Sequence, residues 1–277
     1  MKSYRTALTI AGSDSGGGAG IQADLKTFSA CGCYGMSAIT AITAQNTCGV
    51  TAIHPVPPAV IAAQIRAVLD DIGTDAIKIG MLHSADVIMT VAQVLREYGC
   101  NNIVLDPVMV ATSGDRLIEE SAVATLLDTL FPLATLITPN IPEAEILTKK
   151  KISNRDDMVS AAQLLSGEYS LAVLLKGGHL KGKTLVDVYW ARDAGSPIFF
   201  ENERIATRNS HGTGCTLSSA IAAFIAHQKS LHEAVRHAEK YLYQAISAGS
   251  EYSLGKGHGP VHHFFNFHKQ LPKEKIS

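Results

Sequence analysis

The 277-residue sequence has no block of basic residues, and its formal net charge is only −1. That argues against an extended nucleic-acid or membrane-surface role, which needs a concentrated positive field. No apolar run is long enough to span a bilayer. The opening MKSYRTALTIAGSDS turns polar at Ser13 and lacks the layout of a signal peptide, so a cytoplasmic location is expected. The cysteines (Cys31, Cys33, Cys48, Cys100, Cys215) are odd in number and contain no C-x-x-C pair, which predicts free thiols. Linkers, repeats and low-complexity segments are missing too. One domain over residues 1–277 is expected, with a polar, frayed tail at 269–277. A last absence is local: no Asp or Glu occurs between Glu203 and Glu233, although a helix is predicted to begin inside that stretch.

What is present is a hydrophobic fraction of 46%, ample for a sizeable core, arranged as alternating apolar runs and amphipathic stretches. RTALTIA, SAITAITA, AIKIGML, NNIVLDP, ATLITPN and SLAVLLK read as strands. Between them, Ile21, Leu25 and Phe28 share one helical face, as do Ile61, Ile65, Val68 and Leu69. ADVIMTVAQVLREYG reads as a helix stopping at Gly99, and another runs from about Glu119 to Leu130. TLVDVYWA and PIFFENERIA alternate like antiparallel edge strands, and two long helices follow, from Thr213 and from Leu231. This order predicts an α/β fold: a largely parallel sheet with helices on both faces and a small antiparallel edge.

Ligands of such sheets sit beyond the carboxyl ends of the strands. The unusual polar residues fall there: AGSDSGGGAG, Gln45 and Asn46, Gly80 and Met81, Asp106, Asn140, and Lys176 with Gly177 and Gly178. Two glycine motifs fail as phosphate loops. GGHLKGKT, from Gly177 to Thr184, fits G-x-x-x-x-G-K-T, but the LVDVYW that follows is strand-like, whereas that loop works only ahead of a helix. The first cluster has Ile21 where G-x-G-x-x-G needs glycine. NSHGTGCTLSSAIAAFIA, from Asn209, fits its context better. Small residues lead into a helix whose start carries about half a positive charge, with no carboxylate to neutralise it. That favours an anion supplied from outside over a merely tight helix start.

At these residues the sequence resembles the ribokinase-like small-molecule kinases, in particular the hydroxymethylpyrimidine/phosphomethylpyrimidine kinases. AGSDSGGGAGIQADLKT, ITAQNT, IKIGM, LDPVM, SGDRL, TPNIPEAE, LLKGGH, SHGTGCT and GKGHGPVHHF carry the likeness, in family order from Ala11 to Phe264. The resemblance implies a three-layer sandwich and a magnesium-dependent transfer of phosphate from ATP to a hydroxymethyl group in thiamine biosynthesis. It implies an anion hole from Gly212, Thr213 and Gly214, with Cys215 where relatives carry a base Asp. A thiol at a helix start is expected to have a lowered pKa. Lys176 is implied at the ATP phosphates, with Asn140 and Thr207 as further nucleotide neighbours and Asp106 and Glu143 around magnesium. The pyrimidine pocket would use Gln45, Asp24, Met81 and Val108. A primary amide matches the donor–acceptor edge of an aminopyrimidine, and Met81 and Val108 could flank its ring. A homodimer is implied as well.

Two departures stand out. Ser210 replaces the Thr more usual in relatives and keeps the hydroxyl; Glu239 stands where relatives tend to carry Lys. The nearest alternative is a pyridoxal or pyridoxine kinase on the same fold, because both substrates are flat heteroaromatics with a hydroxymethyl group. A non-catalytic ligand-binding relative is more remote, since Lys176, Asp106, Glu143 and GTGC are all present.

Overall fold

The computed structural model describes residues 2–109, 120–192 and 194–267. The SGDRL motif and the expected frayed tail lie outside the described residues. The main sheet contains strands β1 (Thr6–Ala11), β2 (Tyr34–Ile39), β5 (Ala76–Ile79), β6 (Ile103–Leu105), β7 (Leu136–Ile137), β8 (Ala172–Leu175), β9 (Thr184–Trp190) and β10 (Ile198–Glu203). Their spatial order is β10-β9-β8-β7-β6-β5-β1-β2. Pairing is parallel from β2 through β8, whereas β9 and β10 run antiparallel, as their alternating sequences predict. GGHLKGKT therefore joins two antiparallel strands and precedes no helix.

SAITAITA is not one strand. It splits at Thr40 between β2 and β3 (Ala41–Asn46), and β3 pairs antiparallel with β4 (Gly49–Pro55) as a separate two-stranded sheet. An Ala-Ile-Thr repeat runs straight through the break, so the sequence conceals it. Thr40 is buried, and its polar groups bond outside any ladder. Its amide reaches the Ala11 carbonyl at 3.0 Å, its hydroxyl donates to the Met81 carbonyl at 2.8 Å, and its carbonyl accepts from Val56.

Both faces of the main sheet are covered, which explains the continuous apolar runs. On one face Leu8, Ile10, Ile77, Ile79, Ile103 and Leu105 pack against α2 (Pro58–Asp71), α3 (Ala85–Glu97), α4 (Glu120–Thr129) and α6 (Arg155–Tyr169). The opposite face carries smaller residues, Ala7, Ala76 and Val104 among them. These meet α1 (Gly20–Ala30), the alanine-rich α7 (Thr213–Ala226) and α8 (Leu231–Gly249). Small side chains on both partners let α7 lie close over the sheet centre. Thr9 and Lys78 also point into this layer, both fully buried.

Helix ends follow local chemistry. Ser230 and Glu233 form a reciprocal capping box at the start of α8. Asn140 and Glu143 do the same for α5 (Ile141–Thr148). The helices α5 and α6 and the strand β4 are additions to the elements read from the sequence. β4 is exposed along most of its length, so it has no buried stripe to betray it.

Candidate active site

A cavity of about 880 Å³ opens beyond the carboxyl ends of the parallel strands and reaches from the small sheet to α8. The start of α7 forms its floor. Gly212 takes a left-handed conformation, with φ of 79°, and no acidic residue occupies the first turn. A Cβ at Gly212 would come within 1.8 Å of the Gly18 carbonyl oxygen, so only glycine permits this contact between the two glycine-bearing loops. Asp14 binds the loops together. Its carboxylate accepts from the amides of Gly16, Gly18 and Ala19 at 2.8–3.1 Å and contacts His211 Nε2 at 2.8 Å. Burial works to raise the Asp14 pKa, but the His211 hydrogen bond and the amides hold it below the ordinary carboxylate value.

Lys176 follows β8 and places its ammonium 2.9 Å from Asp106 Oδ1. The Lys176 Nζ lies 3.2 Å from where a Gly214 Cβ would stand, so the cation abuts the helix start. Thr138 Oγ1 donates to Asp106 Oδ1 at 2.9 Å. Burial opposes both charges, yet the Lys176 and Lys78 cations hold Asp106 low, while Asp106 and Glu143 hold Lys176 high. The pair is ionised and fixed in place.

Glu143 is buried, with its carboxylate accepting from the Asn140 amide at 2.8 Å, and the Asn140 side chain accepts the Glu143 amide at 2.9 Å. Their nearest role is thus the α5 capping box. Burial drives the Glu143 pKa up to about 7; Lys176 opposes this and Asp106 adds to it. Two carboxylates pressed into mutual repulsion suit a small divalent cation, which takes one or two carboxylates and fills its shell with water and phosphate. Among the described residues no group of three or more His, Cys, Asp or Glu could hold a metal unaided.

The expected pyrimidine residues are only partly together. Gln45, Met81 and Val108 line the cavity, with Gln45 contributed by the small sheet instead of the main one. Asp24 does not line it. It is fully buried under α7, where Lys78 Nζ donates to both of its oxygens at 2.9 Å, joined by Thr9 at 2.6 Å and Ser219 at 2.7 Å. The assignment of Asp24 to the substrate pocket is corrected: its carboxylate has no path to a ligand.

Cys215 also differs from expectation. It does lie in the first turn of α7 and faces the cavity. Yet burial pushes its thiol up to about 11, with Lys78 opposing and Asp24 and Asp106 adding to the rise. Desolvation and two carboxylates outweigh the helix start. Asn140 and Thr207 line the cavity beside Lys176. Residues that sequence reasoning passed over are Asp14, His211, Lys78 and Asp187. A lysine in the middle of the apolar AIKIG run was the one visible signal among them.

This geometry has close counterparts. The family described as phosphomethylpyrimidine kinase matches residues 14–262. A hydroxymethylpyrimidine/phosphomethylpyrimidine kinase of Rhizobium meliloti is 51% identical over 264 residues, covering 95% of this chain and 98% of the relative. The enzyme of that name from Escherichia coli is 46% identical over 259 residues, with 93% and 97% covered. Among solved structures, phosphomethylpyrimidine kinase from Clostridium difficile superposes with a TM-score of 0.77 at 46% identity, over 87% of this chain and 99% of that one. Pyridoxal kinase from Staphylococcus aureus gives 0.87 at 33% identity, over 96% of each. Three-layer architecture, glycine loops and relatives agree: the chain belongs to the phosphomethylpyrimidine kinase family, on the ribokinase-like fold.

Proposed function

We propose that the protein transfers phosphate from ATP to the hydroxymethyl group of hydroxymethylpyrimidine, and then phosphorylates the monophosphate to the diphosphate, in thiamine biosynthesis. The observation that carries this is the ionised Lys176–Asp106 pair set against the carboxylate-free start of α7, inside one cavity that has room for both substrates. Phosphoryl transfer asks a protein mainly for positioning and for fixed positive potential around the moving group. Amides of Gly212, Thr213 and Gly214 supply that potential, and Lys176 adds a full charge that cannot relax away. Gln45, Met81 and Val108 hold the ring so that its hydroxymethyl group points at the helix start.

Cys215 stands where it could take the hydroxyl proton. With its pKa near 11, the thiolate is scarce at neutral pH, so this contribution grows with rising pH. Asp106 and Glu143, with Asn140 beside them, would hold magnesium, which neutralises phosphate charge when bound. ATP as donor is supported by Staphylococcus aureus pyridoxal kinase, solved with ADP and with AMP-PCP. The pathway is supported by a thiamine biosynthesis bifunctional protein of Geobacter sulfurreducens, 52% identical over 256 residues that make up 51% of its length. A single-domain, cytoplasmic homodimer completes the reading; no described helix is long and apolar enough to cross a membrane.

The test is coupled ADP release with ATP and magnesium, offering hydroxymethylpyrimidine, its monophosphate and pyridoxine in parallel. Turnover of both pyrimidine species, with pyridoxine much slower, is the expected result. Pyridoxine turnover without monophosphate turnover would keep the kinase and overturn the pathway.

A further inference from the structure

Glu239 is 7% exposed, yet it forms part of the cavity wall, and its Oε1 has no hydrogen-bond partner. A buried acceptor left unpaired is costly, and a binding site is where such a cost is expected. The rest of the carboxyl is committed: it is in hydrogen-bond contact with the side chain of Asp187, which requires a shared proton because two carboxylates are both acceptors. Asp187 is itself fixed by the Gly177 amide, 2.7 Å from its Oδ1. The acid pair is therefore held in one geometry with one oxygen left over.

Its position along the cavity says what that oxygen can meet. Gly177 directly follows Lys176, and Lys176 is the cation that acts on both acids, so the pair borders the phosphate end. Beyond the pair, apolar residues reach the cavity from two sides, alongside Asn202 and Tyr243. Leu185 lies two residues along β9 from Asp187, and Phe200 pairs with Asp187 across β10. Leu242 and Ile246 follow Glu239 on the same side of α8. Charged floor, acid pair and apolar slot thus succeed one another in the order phosphate, sugar and base. The sugar is the only one of these three that offers hydroxyl donors.

Building on the nucleotide reading above, we propose that Glu239 Oε1 accepts a hydrogen bond from a ribose hydroxyl of the bound nucleotide, with Asp187 as the positioning residue that fixes the Glu239 side chain. The contact makes Glu239 a specificity residue for ribonucleotides.

Initial rates are measured with ATP, 2′-deoxyATP and 3′-deoxyATP, with hydroxymethylpyrimidine as acceptor, for the wild type, Glu239→Leu and Glu239→Gln. In the wild type, kcat/KM for at least one deoxynucleotide is expected to be about tenfold or more below that for ATP. Glu239→Leu is expected to bring the ratio to within about twofold, while Glu239→Gln, which retains an acceptor oxygen, keeps most of it. A wild type that uses all three nucleotides alike overturns the assignment without any variant. So does a Leu variant that is slower with every nucleotide but preserves the ratio, because that is the signature of a purely structural role. Failure of the wild type to turn over ATP with any acceptor would instead remove the kinase reading itself.

Discussion

Two Lys–Asp pairs lie beneath the start of α7, and they have opposite fates. Lys78 and Asp24 are sealed from solvent, although Lys78 contributes to the cavity wall, and every oxygen of Asp24 is taken by Lys78, Thr9 or Ser219. Lys176 and Asp106 have the same 2.9 Å separation, but the Lys176 side chain is 15% exposed and opens into the cavity. The sealed pair is a strut between β5 and α1, with α7 bonded to it through Ser219. The open pair is a tool, since a lysine that can still see the cavity can exchange part of its partner for phosphate. What separates structure from function here is whether a ligand can reach the charge; the charge itself is common to both.

Removing one member of the sealed pair should break that symmetry most strongly. Lys78→Met leaves a buried, uncompensated carboxylate and is expected to destabilise the fold by about 3–5 kcal/mol. The double variant Lys78→Met with Asp24→Leu should recover most of the loss. Urea denaturation measures both; a single variant as stable as the wild type would show that the Lys78–Asp24 pair does not brace the fold.

The open pair should respond in rate. Lys176→Met is expected to lower kcat by about 10²–10³, the scale for one lost electrostatic contact to a transition state. Its stability should fall less than that of Lys78→Met, because the freed Asp106 keeps Thr138 and lines the cavity. If the denaturation midpoint drops as far as for Lys78→Met while kcat holds, the two pairs have been assigned the wrong way round.

A smaller effect sharpens the comparison from behind α7. Burial pulls the His263 pKa down to about 4, with Lys26 and His262 adding, and its ring nitrogen contacts Thr216 Oγ1 at 3.1 Å. The unfolded chain, with an ordinary value of 6.5, therefore binds more protons than the folded one between these limits. Stability should be unaffected above pH 6.5 and decline by about 2–3 kcal/mol as pH falls toward 4. Comparing His263→Asn with the wild type by thermal melts across that range would isolate the effect: the wild-type curve bends, and the variant's should lose that bend.

Legibility in the sequence followed burial. Strands covered on both faces announce themselves as continuous apolar runs, and α7 and α8 begin at the residues their patterns indicate. β4 lies exposed and leaves no stripe. Thr40 turns the chain from one sheet into another inside a repeated Ala-Ile-Thr pattern. Glu143 was visible as N-x-x-E, a pattern equally good for a capping box and for an acid near magnesium; only the fold shows that it caps α5. Asp24 could be seen to border a buried face, but its partners lie 15, 54 and 195 residues away. Cys215 had the right helix position for a lowered pKa and the wrong surroundings, because burial raises it and Asp24 and Asp106, distant in the chain, add to the rise.

By itself, the sequence determined the order of the buried strands and of most helices, and a helix start left free of carboxylates. These are properties of neighbouring residues and short-range periodicity. Tertiary structure alone decided which lysine reaches solvent and which does not, that burial raises the Cys215 pKa, and that Glu239 has an oxygen to offer. Desolvation and charge pairing depend on what packs across the gap, and that is set by residues far away along the chain.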